Sequence, residues 1–306
     1  MKYLVILLIC ITIGISGEGK IGGVTYFDYT NAEETSAFNF KRQYFSYVVD
    51  VSDDIKFKVI FDVGRSATDS RLNTYLKKAQ VNYKTSYANI SLGLIGTNTY
   101  GIQEKNWGYR FIEQSAIDRN KFSSTADIGI GFSRSLIDNL NMSLQVVNGE
   151  GFKQPQLDKY HKISLNTTYG ERRLNKNDGY NTGIVYSTEA TDGDPTNMLS
   201  VFGGFAGMGL RIGAEYDMLT IGSTESSIIS VSANYSFMDN KDIFLRYDMY
   251  DVDTSVDKDG FTYIIAGILL SCGNGLSVAP NIRMTSYEDT VKEIISEYKV
   301  NFQFKF

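Results

Sequence analysis

The sequence predicts an all-β fold, a transmembrane antiparallel up-and-down β-barrel of about sixteen strands, and three observations carry that prediction. Apolar residues recur at every second position in segment after segment. The connections between those segments are mostly short and long in turn. The last segment, from Tyr298 to Phe306, repeats the alternation and stops on an aromatic residue. A period of two sends successive side chains to opposite faces of an extended strand. A chain that alternates in this way along its length hides one apolar surface within an average hydropathy that looks soluble.

The alternation is clearest in three places. Ile55, Phe57, Val59, Phe61 and Val63 face one way, while Lys56, Lys58, Ile60 and Asp62 face the other. A helix would scatter those lysines around its circumference, so the strand period fits better. Leu210, Ile212, Ala214, Tyr216 and Met218 oppose Arg211, Glu215 and Asp217. Leu276, Val278, Ile282 and Met284 oppose Asn281, Arg283 and Thr285. On this pattern strands are expected over 20–30, 38–50, 55–65, 74–85, 87–97, 122–136, 140–148 and 161–173. Eight more are expected over 180–188, 198–206, 209–219, 226–237, 242–251, 261–271, 275–287 and 293–306. In 198–206 and 261–271 both faces are small or apolar, so fourteen or eighteen strands also fit. An even number is what single-chain bacterial barrels use.

Connections set the orientation. Those at 51–54, 85–87, 137–139, 238–241 and 272–274 are short. They alternate with longer ones at 66–73, 98–121, 148–160, 189–197, 252–260 and 288–292, and a polar loop is expected at 31–37. Short turns belong on the periplasmic side of an outer-membrane barrel and long loops outside, which puts both ends of the barrel in the periplasm.

Composition agrees. Aromatic residues make up 13 % of the chain, with 21 Tyr and 18 Phe against 1 Trp, a balance suited to strands and to aromatic girdles at membrane interfaces. Mean hydropathy is −0.19, and after Ile15 no apolar run reaches the length of a membrane-spanning helix. Residues 1–17 read as a cleaved signal peptide: Lys2 gives the positive start, an apolar run follows to Ile15, and Ser16 and Gly17 are small. Cys10 lies inside that run behind Ile9, which argues against a lipoprotein signal. Residues 18–306 are then one barrel domain. Removal of Cys10 leaves Cys272 alone, so neither an internal disulfide nor a cysteine-based metal site is expected. A net charge of −5 argues against nucleic acid as a partner.

In the closing segment, Tyr298, Val300, Phe302, Phe304 and Phe306 alternate with Lys299, Asn301, Gln303 and Lys305. This resembles the terminal strand of bacterial outer-membrane barrels, in which the final Phe belongs to the assembly signal. The competing reading is the edge strand of a soluble sheet, where bare alternating Phe would invite aggregation. The longest connection, 98–121, is the third on the external side and mixes apolar Ile102, Tyr109, Phe111 and Ile112 with Glu104, Lys105, Arg110, Glu113, Asp118 and Arg119. Loops of this length are usually functional or disordered, and the aromatics argue for order. Here the chain resembles the sixteen-stranded general porins of Gram-negative bacteria, whose third external loop folds into the lumen as a constriction. The stretch 103–113 is also similar to that of porin-like proteins loosely grouped with the phosphate-selective porins, a grouping that carries no selectivity over to this chain. The resemblance implies a trimer in the outer membrane, handled by barrel-assembly machinery and surrounded by lipid.

The candidate site is the lumen. If apolar residues face lipid, then Arg42, Lys56, Lys58, Asp62, Lys78, Arg211, Glu215, Asp217, Arg246, Asp248 and Arg283 face inward, because such charges at membrane depth need water. Loop residues Glu104, Lys105, Arg110 and Glu113 complete the candidate constriction, and each of these side chains taken singly also reads as an ordinary wetted wall residue. Asp251, Asp253, Asp257 and Asp259, followed by Gly260, resemble a calcium loop. Val256 interrupts that register and no Glu closes it, so a solvated acidic loop fits as well. His161, the only histidine, stands where a loop joins a strand and reads as a rim residue more readily than as a hydrolase base. The expected function is passive diffusion of small hydrophilic solutes or ions, with no catalysis and no cofactor. The alternatives are a closed structural or adhesion barrel and a barrel enzyme. About sixteen strands leave no residues for the plug domain of an energised transporter.

Overall fold

The computed structural model describes residues 18–65 and 71–306, so the expected signal peptide at 1–17 lies outside the described residues. The strands are β1 (Lys20–Ala32), β2 (Thr35–Asp50), β3 (Ile55–Arg65), β4 (Leu72–Lys84), β5 (Asn89–Gly96), β6 (Ala126–Ile137), β7 (Leu140–Val147) and β8 (Lys162–Gly170). They continue as β9 (Gly179–Glu189), β10 (Thr196–Gly207), β11 (Leu210–Ile221), β12 (Thr224–Met238), β13 (Lys241–Asp251), β14 (Phe261–Gly273), β15 (Leu276–Tyr287) and β16 (Ile295–Lys305). Each pairs antiparallel with its neighbours in sequence, and β16 returns to β1, so the sheet closes with no free edge. The seam runs from Val24 opposite Lys305 to Ala32 opposite Glu297. Gly23 and Phe306 extend it with reciprocal backbone hydrogen bonds of 3.1 Å.

The barrel is inside out relative to a soluble protein. Phe45, Phe61, Val201, Ile229 and Leu245 are exposed on the outer face, while Asp62, Asp217, Asp248 and Arg246 are buried on the inner one. Exposed Tyr83, Tyr169, Tyr180, Phe205, Tyr235 and Phe304 gather toward the strand ends where the short turns lie. That placement fits an aromatic girdle at one membrane interface.

Three connections depart from the expected rhythm. In place of a polar loop at 31–37, β1 and β2 meet through Glu33 and Glu34 alone, since polar residues at a strand end pair as readily as they loop. Gly222 and Ser223 make a second two-residue turn at the long-loop end, where the positive φ of Gly222, 61°, permits the tight reversal. Conversely, β8 stops at Gly170, and 171–178 forms a long connection at the short-turn end. Pairing shifts by one residue beside three of the short turns, after Ser135, Ser236 and Ser271, and at two places within the strands. One is opposite Tyr26/Phe27, where Lys41 is the extra residue of β2. The other is opposite Ile60/Phe61, where Lys77 is the extra residue of β4. Such bulges re-aim side chains, and here each extra lysine reaches an inward aspartate.

Candidate functional site

The segment between β5 and β6 holds two short helices, α1 (Gln103–Trp107) and α2 (Ala116–Arg119). Gly108 ends α1 in the left-handed conformation at φ 78°, and its N–H donates to the Glu104 carbonyl. Ser115 caps α2 by accepting from the Asp118 N–H. The segment turns sideways at once. The Asn98 N–H donates to Gln145 Oε1 at 2.9 Å, its side-chain amide donates to the Ser143 carbonyl at 2.9 Å, and its carbonyl accepts from the Asn166 amide at 2.7 Å.

Two apolar clusters hold the segment against the polar-faced side of the sheet. In the first, Tyr100, Ile102, Ala116, Ile117 and Phe122 pack on Val185, Met198, Phe202 and Ile228. In the second, Trp107, Tyr109, Phe111 and Ile112 pack on Phe244, Tyr263, Ile265, Leu269 and Ala279. This explains the apolar character of both faces of β10 and β14: one face is the outer surface and the other carries the loop. Gly204 and Gly213 let α1 approach closely. A Cβ on Gly204 would sit 2.8 Å from the Asn106 amide, and one on Gly213 would sit 3.0 Å from Asn106 Cβ. Asn106 and Asn181 then exchange two amide hydrogen bonds of 2.9 Å.

Three wall arginines donate to the loop backbone: Arg211 to the Trp107 carbonyl at 3.1 Å, Arg283 to the Ile112 carbonyl at 2.6 Å, and Arg246 to the Gln114 carbonyl. Arg283 also bridges Glu113 at 2.6 Å, and the Tyr263 hydroxyl donates to the same carboxylate at 3.0 Å. Burial pushes the Glu113 carboxyl up, but Arg283, Arg246 and Arg119 outweigh it and hold the group below the usual carboxylate range. Arg246 is itself paired with Asp248 through two bonds of 2.6 and 2.8 Å, and both side chains are buried. Glu113, Arg246, Asp248 and Arg283 therefore fasten the loop, and none of the four is a free charge facing water. Asp217 is buried on the same inner face, and half-buried Glu215 borders an internal cavity of about 20 Å³, room for one water.

Arg110 has a different setting. It bonds Glu104 and Asp118 at 2.6 Å each, bracing the loop internally. It also borders two larger spaces, about 390 and 450 Å³, between the loop and the strands β1–β4 and β16. Lys41, Arg42, Tyr44, Lys77, Lys78 and Lys299 line that side. Asp62 is held there by Arg42 at 3.1 Å and Lys77 at 3.5 Å, and Asp28 by Lys41 at 3.5 Å. The bulge lysines Lys41 and Lys77 escaped the sequence reading, because a strict alternation assigns each to the outer face. Lys58 lies on the inner face opposite Val48, whereas Lys56 is at the turn end, exposed and paired with Asp50 at 3.0 Å.

The acidic segment near β13 does not assemble as a metal site. Among the described residues no group of three His, Cys, Asp or Glu side chains is placed to hold a metal ion. Asp253 instead accepts from the backbone and hydroxyl of Ser255 at 3.0 and 2.7 Å, closing a local turn. Asp257 is exposed. His161 is exposed just before β8.

No protein-family model matches the chain, and no curated protein matches it. Solved structures do. The chain is similar to OmpF of Salmonella typhi in complex with daunomycin, at 12 % identity and a TM-score of 0.72, covering 95 % of this chain and 98 % of that one. It is similar to an anion-selective porin from Comamonas acidovorans, at 12 % identity and a TM-score of 0.67, covering 95 % and 100 %. The trimer form of in-vitro folded OmpT, an outer membrane protein of Vibrio cholerae, is 13 % identical with a TM-score of 0.69, covering 95 % and 99 %. At these identities the likeness is one of fold: the chain has the closed sixteen-stranded barrel found in outer-membrane porins.

Proposed function

We propose that this chain is an outer-membrane porin that lets small hydrophilic solutes or ions diffuse passively through a water-filled lumen, without catalysis or a cofactor. The observation that carries this reading is the one-sided docking of 97–125. Its anchors lie on β7 to β16, and spaces of about 390 and 450 Å³ remain between it and the strands β1–β4 and β16. The loop is thus read as an inward constriction and the basic β1–β4 side as the open path. The apolar outer face suits a lipid bilayer, and the charged inner face suits water. A homotrimer is part of the proposal, supported by the trimeric form of the similar Vibrio cholerae protein. So are export through the 1–17 signal and an assembly signal formed by Tyr298, Val300, Phe302, Phe304 and Phe306.

Single-channel recording in planar bilayers, with liposome swelling on a sugar series, tests the reading. Discrete conductance steps and a size cut-off among the sugars are expected. A folded, inserted protein that neither conducts nor swells liposomes would identify a closed structural barrel instead.

A further inference from the structure

The long connection 171–178 stands out because every other connection at its end of the barrel has four residues or fewer. It is held by specific contacts. The Glu171 carboxylate accepts from the Arg173 N–H at 2.8 Å, and the Glu171 carbonyl accepts from the Asn181 amide at 2.7 Å. Leu174 is 3 % exposed and reaches Gly204, where a Cβ would lie 2.8 Å from both Leu174 Cδ1 and the Asn106 amide. The connection therefore tucks beneath α1.

That arrangement gathers cations from two separate segments. Lys105 of α1, Arg172 and Arg173 line one cavity of about 680 Å³, together with Asn139, Asn141 and Tyr180. Among the described residues, none of these three basic side chains has a hydrogen-bond or ion-pair partner. Two carboxylates also border the cavity, Glu171 and Asp178, but Glu171 is turned onto the backbone. Burial, with Arg172 and Arg173 nearby, holds the Lys105 ammonium below the usual lysine range. The three cations outnumber the Glu171 and Asp178 carboxylates, and like charges held this close leave a positive field that a counter-ion relieves.

We propose that this vestibule binds small oxyanions carrying two or more negative charges, with Lys105, Arg172 and Arg173 as the donors. Guanidinium groups can grip an oxyanion through paired N–H bonds, and the lysine adds a point charge from the opposite segment. The proposal deepens the porin reading and rests on it, since the anion reaches the vestibule through the lumen or its mouth.

Two measurements on the folded, full-length mature protein test it. In the first, calorimetric titration in detergent at low ionic strength uses inorganic phosphate and, separately, citrate. Wild type is expected to bind at least one, and which one binds separates a phosphate-type from a carboxylate ligand. The triple variant Lys105→Gln, Arg172→Gln, Arg173→Gln is expected to bind roughly tenfold more weakly, about 0.5 kcal/mol for each partly solvated charge. Arg172→Gln alone gives a smaller loss, should the triple variant fold poorly, and Lys153→Gln, at the other end, gives none. In the second, the same anions block chloride current in bilayers, with the block relieved in the variants. Failure of wild type to bind either anion, or equal binding by wild type and variants, overturns the proposal while leaving conductance intact. Binding without any conductance would remove the porin reading and keep the site.

Discussion

Arg283 on β15 and Glu113 in the loop meet at 2.6 Å, and both are largely buried. This bridge joins the loop to the wall near the middle of its course, and the same guanidinium takes the Ile112 carbonyl. Removing one partner of a buried pair leaves the other charge uncompensated, at a cost of about 3–5 kcal/mol. Glu113→Gln and Arg283→Met should each loosen the loop, seen as flickering conductance and faster cleavage by protease between 98 and 121. Quiet single channels in both variants would show that the apolar clusters hold the loop without the bridge.

The pH dependence of that contact follows from its sign. The Glu113 carboxyl is held below its ordinary value, so its contribution to docking is complete above the unfolded pKa of about 4.3 and fades as pH falls through the lower folded value. Flicker in the wild-type channel should therefore set in only below about pH 4.3. Glu113→Gln, which cannot titrate, should flicker at neutral pH and lack that Glu113-dependent onset. Recording both proteins from pH 7 to 3 checks this.

The outer face can be tested at one strand. Val59 lies opposite Tyr47 and Ala79 on the outer face of β3, while Lys58 lies on the inner face beside it. Val59→Arg, near the middle of the strand, should destabilise the barrel by roughly 2–4 kcal/mol, and Lys58→Gln should cost little. Urea unfolding from vesicles measures both. Equal costs would mean that the register is off by one residue.

Deletion of Phe306 should harm assembly more than the finished barrel. Its backbone makes the two 3.1 Å bonds with Gly23 that extend the β1–β16 seam, but β1 and β16 stay paired from Val24 to Ala32 without it. A sharp fall in heat-modifiable, protease-resistant protein in the outer membrane is expected, with a near-normal unfolding midpoint for the fraction that folds. Normal levels would argue against an assembly role.

Much of this fold is legible in the sequence, because one face of each strand meets a uniform apolar surrounding and so keeps its alternation. Ile55 to Val63 is an example. The alternation weakens where the inner face carries protein instead of water, as at Met198 and Phe202 on β10 or Ile265 and Leu269 on β14. Charge at the candidate site was legible as charge but not as role. Arg211, Arg246 and Arg283 read as pore-lining and instead hold loop carbonyls, a contact made across more than a hundred residues of chain that no local pattern encodes. Lys41 and Lys77 were hidden because a bulge breaks the period of two. The strand expected over 161–173 includes Arg172 and Arg173, whereas β8 ends at Gly170, where φ is 97°.

Selectivity should follow the basic side of the lumen. Replacing Arg42 and Lys58 with Gln should move the reversal potential toward cations. The shift should shrink as salt rises, since the Debye length falls from about 10 Å at 0.1 M to 3 Å at 1 M. Arg42→Gln alone should have a blunted effect, because Lys77 remains 3.5 Å from Asp62.

The most direct test of the central claim is single-channel conductance after shortening the loop between 103 and 114. That deletion removes α1, which docks on β10 and β11, and Arg110, which borders the spaces on the β1–β4 side. The account predicts an assembled barrel with larger conductance steps that also admits larger sugars. A shortened-loop protein that assembles normally and keeps the wild-type conductance and sugar cut-off would contradict it.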